Sequence, residues 1–198
     1  MLILAADTSL PILSVALLRD GELIGAVALE GRGSRNEKLL PAVDWLLSES
    51  GTERSAIDLF AVTRGPGSFT GVRIGLATMQ GLALALGRPV CAMSTHEAIA
   101  WGEAGRVAIA DDAGRGELYL SVFEGGEEVV PAHLAAEPGP SRVIRVADFL
   151  QSGNAAVRCA RRADAIEQQG LGHRYRDVTP IYVRLAEAEV KLRQKQDV

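Results

Sequence analysis

This sequence has little of what most catalytic and metal centres are made from. Its 198 residues hold two cysteines, Cys91 and Cys159, and three histidines, His96, His133 and His173. The cysteines lie far apart, so no disulfide framework can be read; two buried free thiols in a reducing compartment are expected. The histidines are dispersed. No His-x-x-x-His or Cys-x-x-Cys pair is present, so no local spacing builds a metal site. No Ser/His/Asp set is apparent either, and His96 reads as a helix-start histidine rather than a base. A basic excess is also missing. Lys and Arg number 21 against 25 Asp and Glu, the net charge is -4 and the sequence pI is about 5.5. That balance argues against an autonomous grip on nucleic acid, which wants a basic face. No apolar run approaches the ~20 residues that span a bilayer. The apolar opening, residues 1–6, lacks a basic leader and meets Asp7 at once, so it reads as a buried strand and not a signal peptide.

What is present is an ordinary globular composition, 47% hydrophobic and 23% charged, enough for a sizeable core. Residues 2–6 form a continuous apolar run, the mark of a strand buried on both faces. A second strand is predicted over 12–19 and a third over 22–30, joined by the hairpin signal Asp20-Gly21. Leu39, Leu40, Val43, Leu46 and Leu47 make one helical stripe, with Pro41 in a first turn or at a kink and Gly51 just past the end. A fourth strand is predicted over 58–63, a long helix over 68–86 and a fifth strand over 89–92. The order β-β-β-α-β-α-β suits a ribonuclease-H-like lobe.

The second half repeats the theme in weaker form. Strands are predicted over 107–110, 117–123 and 127–130, a short helix over 146–151, a strand over 155–159, a helix over 160–169 and a charged terminal helix over 187–196. The expected fold class is therefore α/β. It is a duplicated ribonuclease-H-like fold of the actin/Hsp70/sugar-kinase (ASKHA) type with a reduced second lobe. The first lobe is expected over residues 1–103 and the second over 104–198.

The most informative stretch runs from Gly65 to Gly75, GPGSFTGVRIG. Ser68 is placed to cap the helix, and a helix start after a glycine turn can receive an anion. No Gly-Lys-Ser/Thr follows, so it is not a P-loop, and its third glycine is misplaced for a dinucleotide fingerprint. The helix beyond it is apolar nearly all round. Val72, Leu76, Met79, Ala83 and Leu86 form one seam, and Gly71, Gly75, Thr78, Leu82 and Ala85 a neighbouring seam of mostly small residues. Either this helix is wholly internal or its outer face meets another chain. Asp7-Thr8-Ser9 sits at the first turn, and Asp111-Asp112 at the matching turn of the second lobe. Such carboxylates can hold Mg²⁺ through water in a nucleotide cleft, or simply make good turns. A small ATPase or kinase of the actin type, and a peptidase, remain alternatives at this point.

Further matches give a more specific expectation. Residues 3–9, ILAADTS, the Leu39-Leu40-Pro41 step, the 65–75 stretch, Gln80-Gly81-Leu82-Ala83, Ser94-Thr95, Asp112-Ala113 with Gly116-Glu117-Leu118-Tyr119, and Pro180-Ile181-Tyr182-Val183-Arg184 together resemble the TsaB (YeaZ) family across nearly the whole chain. The resemblance implies an accessory role, without a catalytic centre, in forming N6-threonylcarbamoyladenosine at position 37 of tRNA. It implies pairing with a TsaD-like paralogue through the first lobe's helices, a TsaE-like ATPase joining the pair, and a homodimer in isolation. It also implies a cytoplasmic protein that meets tRNA only through the complex and has no membrane partner. On this basis Leu39, Val43, Phe69, Thr70, Val72, Arg73, Leu76 and Met79 are expected at the partner interface. Asp7, Thr8, Ser9, Gly67, Ser68 and Asp112 are expected at vestigial nucleotide-facing turns. ATP or ADP and Mg²⁺ are expected only within the complex, with no tightly held cofactor or metal in this chain. The family was formerly grouped with M22 glycoproteases, whose chemistry nothing in these residues supplies.

Overall fold

A computed structural model describes residues 1–30, 35–139 and 141–184; the helix expected over 187–196 lies outside them. Five strands form the first sheet: β1 (Leu2–Asp7), β2 (Leu13–Arg19), β3 (Glu22–Leu29), β4 (Leu59–Thr63) and β5 (Val90–Met93), in the order β3-β2-β1-β4-β5. β1, β2 and β3 are antiparallel, and β4 and β5 run parallel to β1. The β2–β3 hairpin closes at Asp20-Gly21, both with positive φ, as a primed turn requires. β1 is buried along its whole length because helices cover both faces of this sheet. On one face, Leu4, Ala6, Val15 and Phe60 pack under α1 (Arg35–Glu49) and α2 (Phe69–Leu86). On the other, Ile3, Ala5, Ala16 and Leu18 pack under Ala156, Cys159, Ala160 and Ala163.

Those last four residues belong to α5 (Ala155–Gln168), which corrects two expectations. Residues 155–159 are helical, not a strand: Asn154 caps the helix by accepting from the Val157 amide at 3.0 Å. The helix also packs on the first sheet rather than in the second lobe, so a boundary at 104 does not divide the chain into two self-contained halves. The reason is area. The first sheet has a second apolar face to which the described helices of residues 1–103 bring only Ala98 of α3, and α5 carries the matching small-residue stripe.

The second sheet contains β6 (Arg106–Gly114), β7 (Glu117–Glu124), β8 (Glu127–Ala135) and β9 (Arg142–Arg145), in the order β8-β7-β6-β9. β6 is antiparallel to β7 and parallel to β9, so the arrangement repeats β3-β2-β1-β4 without a fifth strand among the described residues. The fold is thus a duplicated ribonuclease-H-like α/β architecture with a reduced second lobe. α3 (Thr95–Ala100) and α4 (Val146–Phe149) join the lobes: Ile99 and Ala100 of α3 pack with Leu10, Val107, Ile109 and Phe123. A buried cluster fixes α3 to α5, with Arg162 bonded to Glu97 at 2.9 Å and to the Tyr175 hydroxyl at 3.0 Å. By length and composition α2 could cross a membrane. Six of its residues, Gly71, Val72, Gly75, Leu76, Met79 and Ala83, instead lie in the core of its own lobe.

Candidate docking face and inter-lobe cleft

The turn after β1 is built around a buried carboxylate. Asp7 is fully buried and accepts bonds from the hydroxyls of Ser9 and Thr63 and from the amides of Ser9 and Leu10. Burial raises its pKa, and the bonds from Ser9 and Thr63 oppose that shift. The Ser9 hydroxyl hydrogen goes to Asp7, so Thr95 donates to Ser9 across 2.9 Å. Thr8 turns the opposite way, and its hydroxyl donates to the Gly71 carbonyl at 2.6 Å. The expectation that Asp7 and Thr8 face a nucleotide is therefore corrected: both are inside, fastening the β1 turn to β4, α3 and α2. Cys91 and Cys159 are buried free thiols, as expected; burial pushes the Cys91 pKa up to about 12, which leaves the thiol inert.

Ser9, Gly67, Ser68 and Asp112 do line a cleft between the lobes, about 410 Å³ in volume, with Pro11, Asp111, Ala113 and Tyr119. Ser68 caps α2 by accepting from the Gly71 amide at 3.2 Å. The lining carries two carboxylates, Asp111 and Asp112, and no Lys or Arg among the described residues. No cluster of three His, Cys, Asp or Glu able to hold a metal occurs among the described residues. Burial raises the Asp111 pKa to about 6, with the neighbouring Asp112 and Asp7 charges adding to the shift. A raised folded-state pKa means that the ionised form is disfavoured by folding. The fold bears no penalty from Asp111 below its unfolded pKa, and the penalty grows as pH rises through about 6. Asp111→Asn is accordingly expected to raise the thermal midpoint at pH 7.5 and to leave it nearly unchanged at pH 4, as measured by calorimetric melts at both pH values. His96 is a core residue rather than a base. Its Nδ1 meets the Ser121 hydroxyl at 2.9 Å, and burial lowers its pKa to about 3.

The outer surface of the α1–α2 layer differs from the expected interface. Leu39, Val43, Val72, Leu76 and Met79 are between 0% and 4% exposed and fill the core under the two helices. Of the residues named from the sequence, Thr70 and Arg73 face solvent and Phe69 is half-buried. The exposed stripe of α2 is Thr70, Arg73, Ala77, Gly81 and Leu84, steps of three and four that mark one helical face. Leu84 is 85% exposed; on α1, Leu40 (44%) and Trp45 (56%) are exposed too, with Trp45 set beside Val27 and Leu29 of β3. The family resemblance put the bulky seam at the interface, but on this helix the bulky seam is what its own sheet buries. Ala77, Gly81 and Leu84, which face outward, were not among the residues named. The available signal was the run of small residues left over once the large ones had filled the core.

Comparison with known proteins places the chain. The family model described as TsaD, tRNA N6-adenosine threonylcarbamoyltransferase, matches residues 33–177. The tRNA threonylcarbamoyladenosine biosynthesis protein TsaB of Escherichia coli (strain K12) is 42% identical over 132 residues, 64% of this chain and 57% of that protein. The Bacillus subtilis (strain 168) protein of the same name is 35% identical over 154 residues, 76% of this chain and 65% of that protein. The chain therefore spans somewhat less than two thirds of these curated relatives. The solved structure of YeaZ from Pseudomonas aeruginosa is 31% identical and superposes with a TM-score of 0.72, covering 91% of this chain and 99% of that one. By these matches the chain belongs to the TsaB (YeaZ) family, relatives of the threonylcarbamoyltransferase TsaD.

Proposed function

We propose that this chain is a non-catalytic cytoplasmic subunit of the machinery that forms N6-threonylcarbamoyladenosine at position 37 of tRNA. It docks a TsaD-type transferase through the exposed α2 stripe, and a TsaE-type ATPase joins that pair. Alone, the same face pairs two copies of the chain. It contacts tRNA only through the complex, and nucleotide with Mg²⁺ belongs to the complex rather than to this chain.

One observation carries the docking reading. Gly81 sits in the middle of α2, exposed, with nothing within 4 Å of where a Cβ would stand. Nothing in the chain's own packing asks for glycine there, and glycine inside a helix costs about 1 kcal/mol relative to alanine. A small residue one turn from Ala77 lets a second helix approach closely, and Leu84 supplies the apolar anchor beside it. Burying Leu84 would contribute roughly 2 kcal/mol. Gly81→Ala is expected to raise the stability of the isolated chain by about 0.5–1 kcal/mol while weakening transferase binding; denaturant melts and a binding titration on the same protein read both. Reconstituting tRNA modification with the transferase and ATPase, with and without this chain, tests the overall role. Loss of product without the chain supports it, and equal product in both reactions refutes it.

A further inference from the structure

The described chain ends in an extended strap, residues 176–184, that touches both lobes. It begins on the first. Arg176 donates to the Val90 carbonyl at 2.9 Å and pairs with Glu167 at 2.7 Å. Val178 packs against the first core. Arg64 reaches the Asp177 carboxylate and the Thr179 carbonyl, each at 3.1 Å, and the Ile181 amide donates to the Arg64 carbonyl at 2.7 Å. The strap lies so tightly on the glycine turn that a Cβ at Gly65 would come within 2.7 Å of the Ile181 carbonyl oxygen. Tyr182 then stacks on Phe69 with centroids 4.6 Å apart. Arg73, its guanidinium 3.8 Å over the Phe69 ring, donates to the Tyr182 hydroxyl at 2.8 Å. The final step crosses to the second lobe, where Arg184 donates to the Ala113 carbonyl at 2.9 Å and pairs with Glu117.

The last part of this path, Ile181 to Arg184, borders both walls of the cleft. Gly67 and Ser68, next to the turn the strap presses on, form one wall, and Ala113, which Arg184 holds, belongs to the other. We infer that residues 176–184 are a latch that fixes the width of the inter-lobe cleft, with Arg184 fastening the second lobe and Asp177, Ile181 and Tyr182 fastening the first. Individual exposed ion pairs contribute little. A strap pinned at two ends differs, because releasing either end frees the span between them. The same strap sets the pose of Arg73 at the start of the α2 stripe. The inference concerns the isolated chain and stands whether or not a transferase docks there.

Amide hydrogen exchange of the isolated full chain tests it. Arg184→Ala is expected to speed exchange of the Ile181 amide and of the 65–68 turn by roughly fivefold, the scale of one lost anchoring contact. Peptides from β1 and α5 should not change, and the control Arg142→Ala, which removes an ion pair with Glu103 away from the strap, should leave the turn unaffected. Asp177→Ala at the other end should give a similar change, and the double variant should add little to either single one. Unchanged exchange of the turn in Arg184→Ala overturns the latch, as does a double variant whose effects multiply like independent contacts. If Arg184→Ala exchanges everywhere, Arg184→Lys is measured instead. It keeps a cation for Glu117 but loses the fork that also reaches Ala113, so faster exchange confined to the turn supports the latch and none refutes it.

Discussion

Leu84→Glu should leave the isolated chain folded and cut its affinity for a TsaD-type transferase by about 100-fold or more. Leu84 is 85% exposed, so the monomer loses almost no packing. In a docked complex the same change removes roughly 2 kcal/mol of apolar burial and places an unpaired carboxylate in the interface, which together exceed the 2.7 kcal/mol or so that 100-fold requires. Leu76→Arg makes the opposite case one turn pair away. Leu76 is 4% exposed in the core, so its guanidinium would have to enter the space between α2 and the sheet. That costs a large share of the 5–15 kcal/mol typical of a whole domain. The two variants therefore separate docking from folding on one helix. Thermal melts should show Leu84→Glu near the parent and Leu76→Arg far below it. A titration should show lost binding for Leu84→Glu at unchanged fold. Equal binding by Leu84→Glu and the parent would remove the α2 stripe from the interface.

Gly71→Ala is the second large effect, and here stability is the readout. A Cβ at Gly71 would fall well inside contact with the Thr8 carbonyl oxygen, and one at Gly75 would meet the Thr8 hydroxyl. The obstacle at Gly71 is backbone, which cannot swing aside, and that backbone belongs to the turn holding the buried Asp7 network. Either α2 lifts off the sheet or the β1 turn moves. Overpacking of this kind costs about 1–3 kcal/mol, and a backbone obstacle places Gly71 at the upper end. For a chain of this size about 3 kcal/mol corresponds to a drop of roughly 6–12 °C in Tm. Set beside Gly81→Ala on the same helix, the sign reverses, because one glycine touches its own sheet and the other touches nothing. A Gly71→Ala protein melting within a degree or two of the parent would show that the contact between α2 and the β1 turn is looser than the geometry gives.

The first lobe was legible because its signals agree. The unbroken run in β1, the Asp20-Gly21 hairpin and the stripe of α1 each obey a period that a doubly covered sheet requires. The second half was harder for a physical reason. Residues 155–159, Ala-Ala-Val-Arg-Cys, are too short an apolar run to tell helix from strand, and the deciding feature was the Asn154 cap. α3 was not among the expected elements, although Ser94-x-x-Glu97 carries its start: Ser94 accepts from the Glu97 amide at 2.9 Å, half of a capping box. Residue spacing could not bring Arg162 to Glu97 or Arg184 to Ala113, because the partners lie 65 and 71 positions apart. The apolar excess of α2 was visible in the sequence; which side of it faced out was not. That depends on where the sheet lies, and the sheet takes the bulky residues and leaves Ala77, Gly81 and Leu84 outside.

Hydroxyl-radical footprinting of the Leu84 side chain, on dilute monomeric chain with and without a stoichiometric TsaD-type transferase, tests the docking surface most directly. Leu84 should be oxidised readily alone and protected on adding the partner, while Val129 of the second lobe, 45% exposed, keeps its reactivity. Equal oxidation of Leu84 in the free chain and in the assembled complex would contradict it.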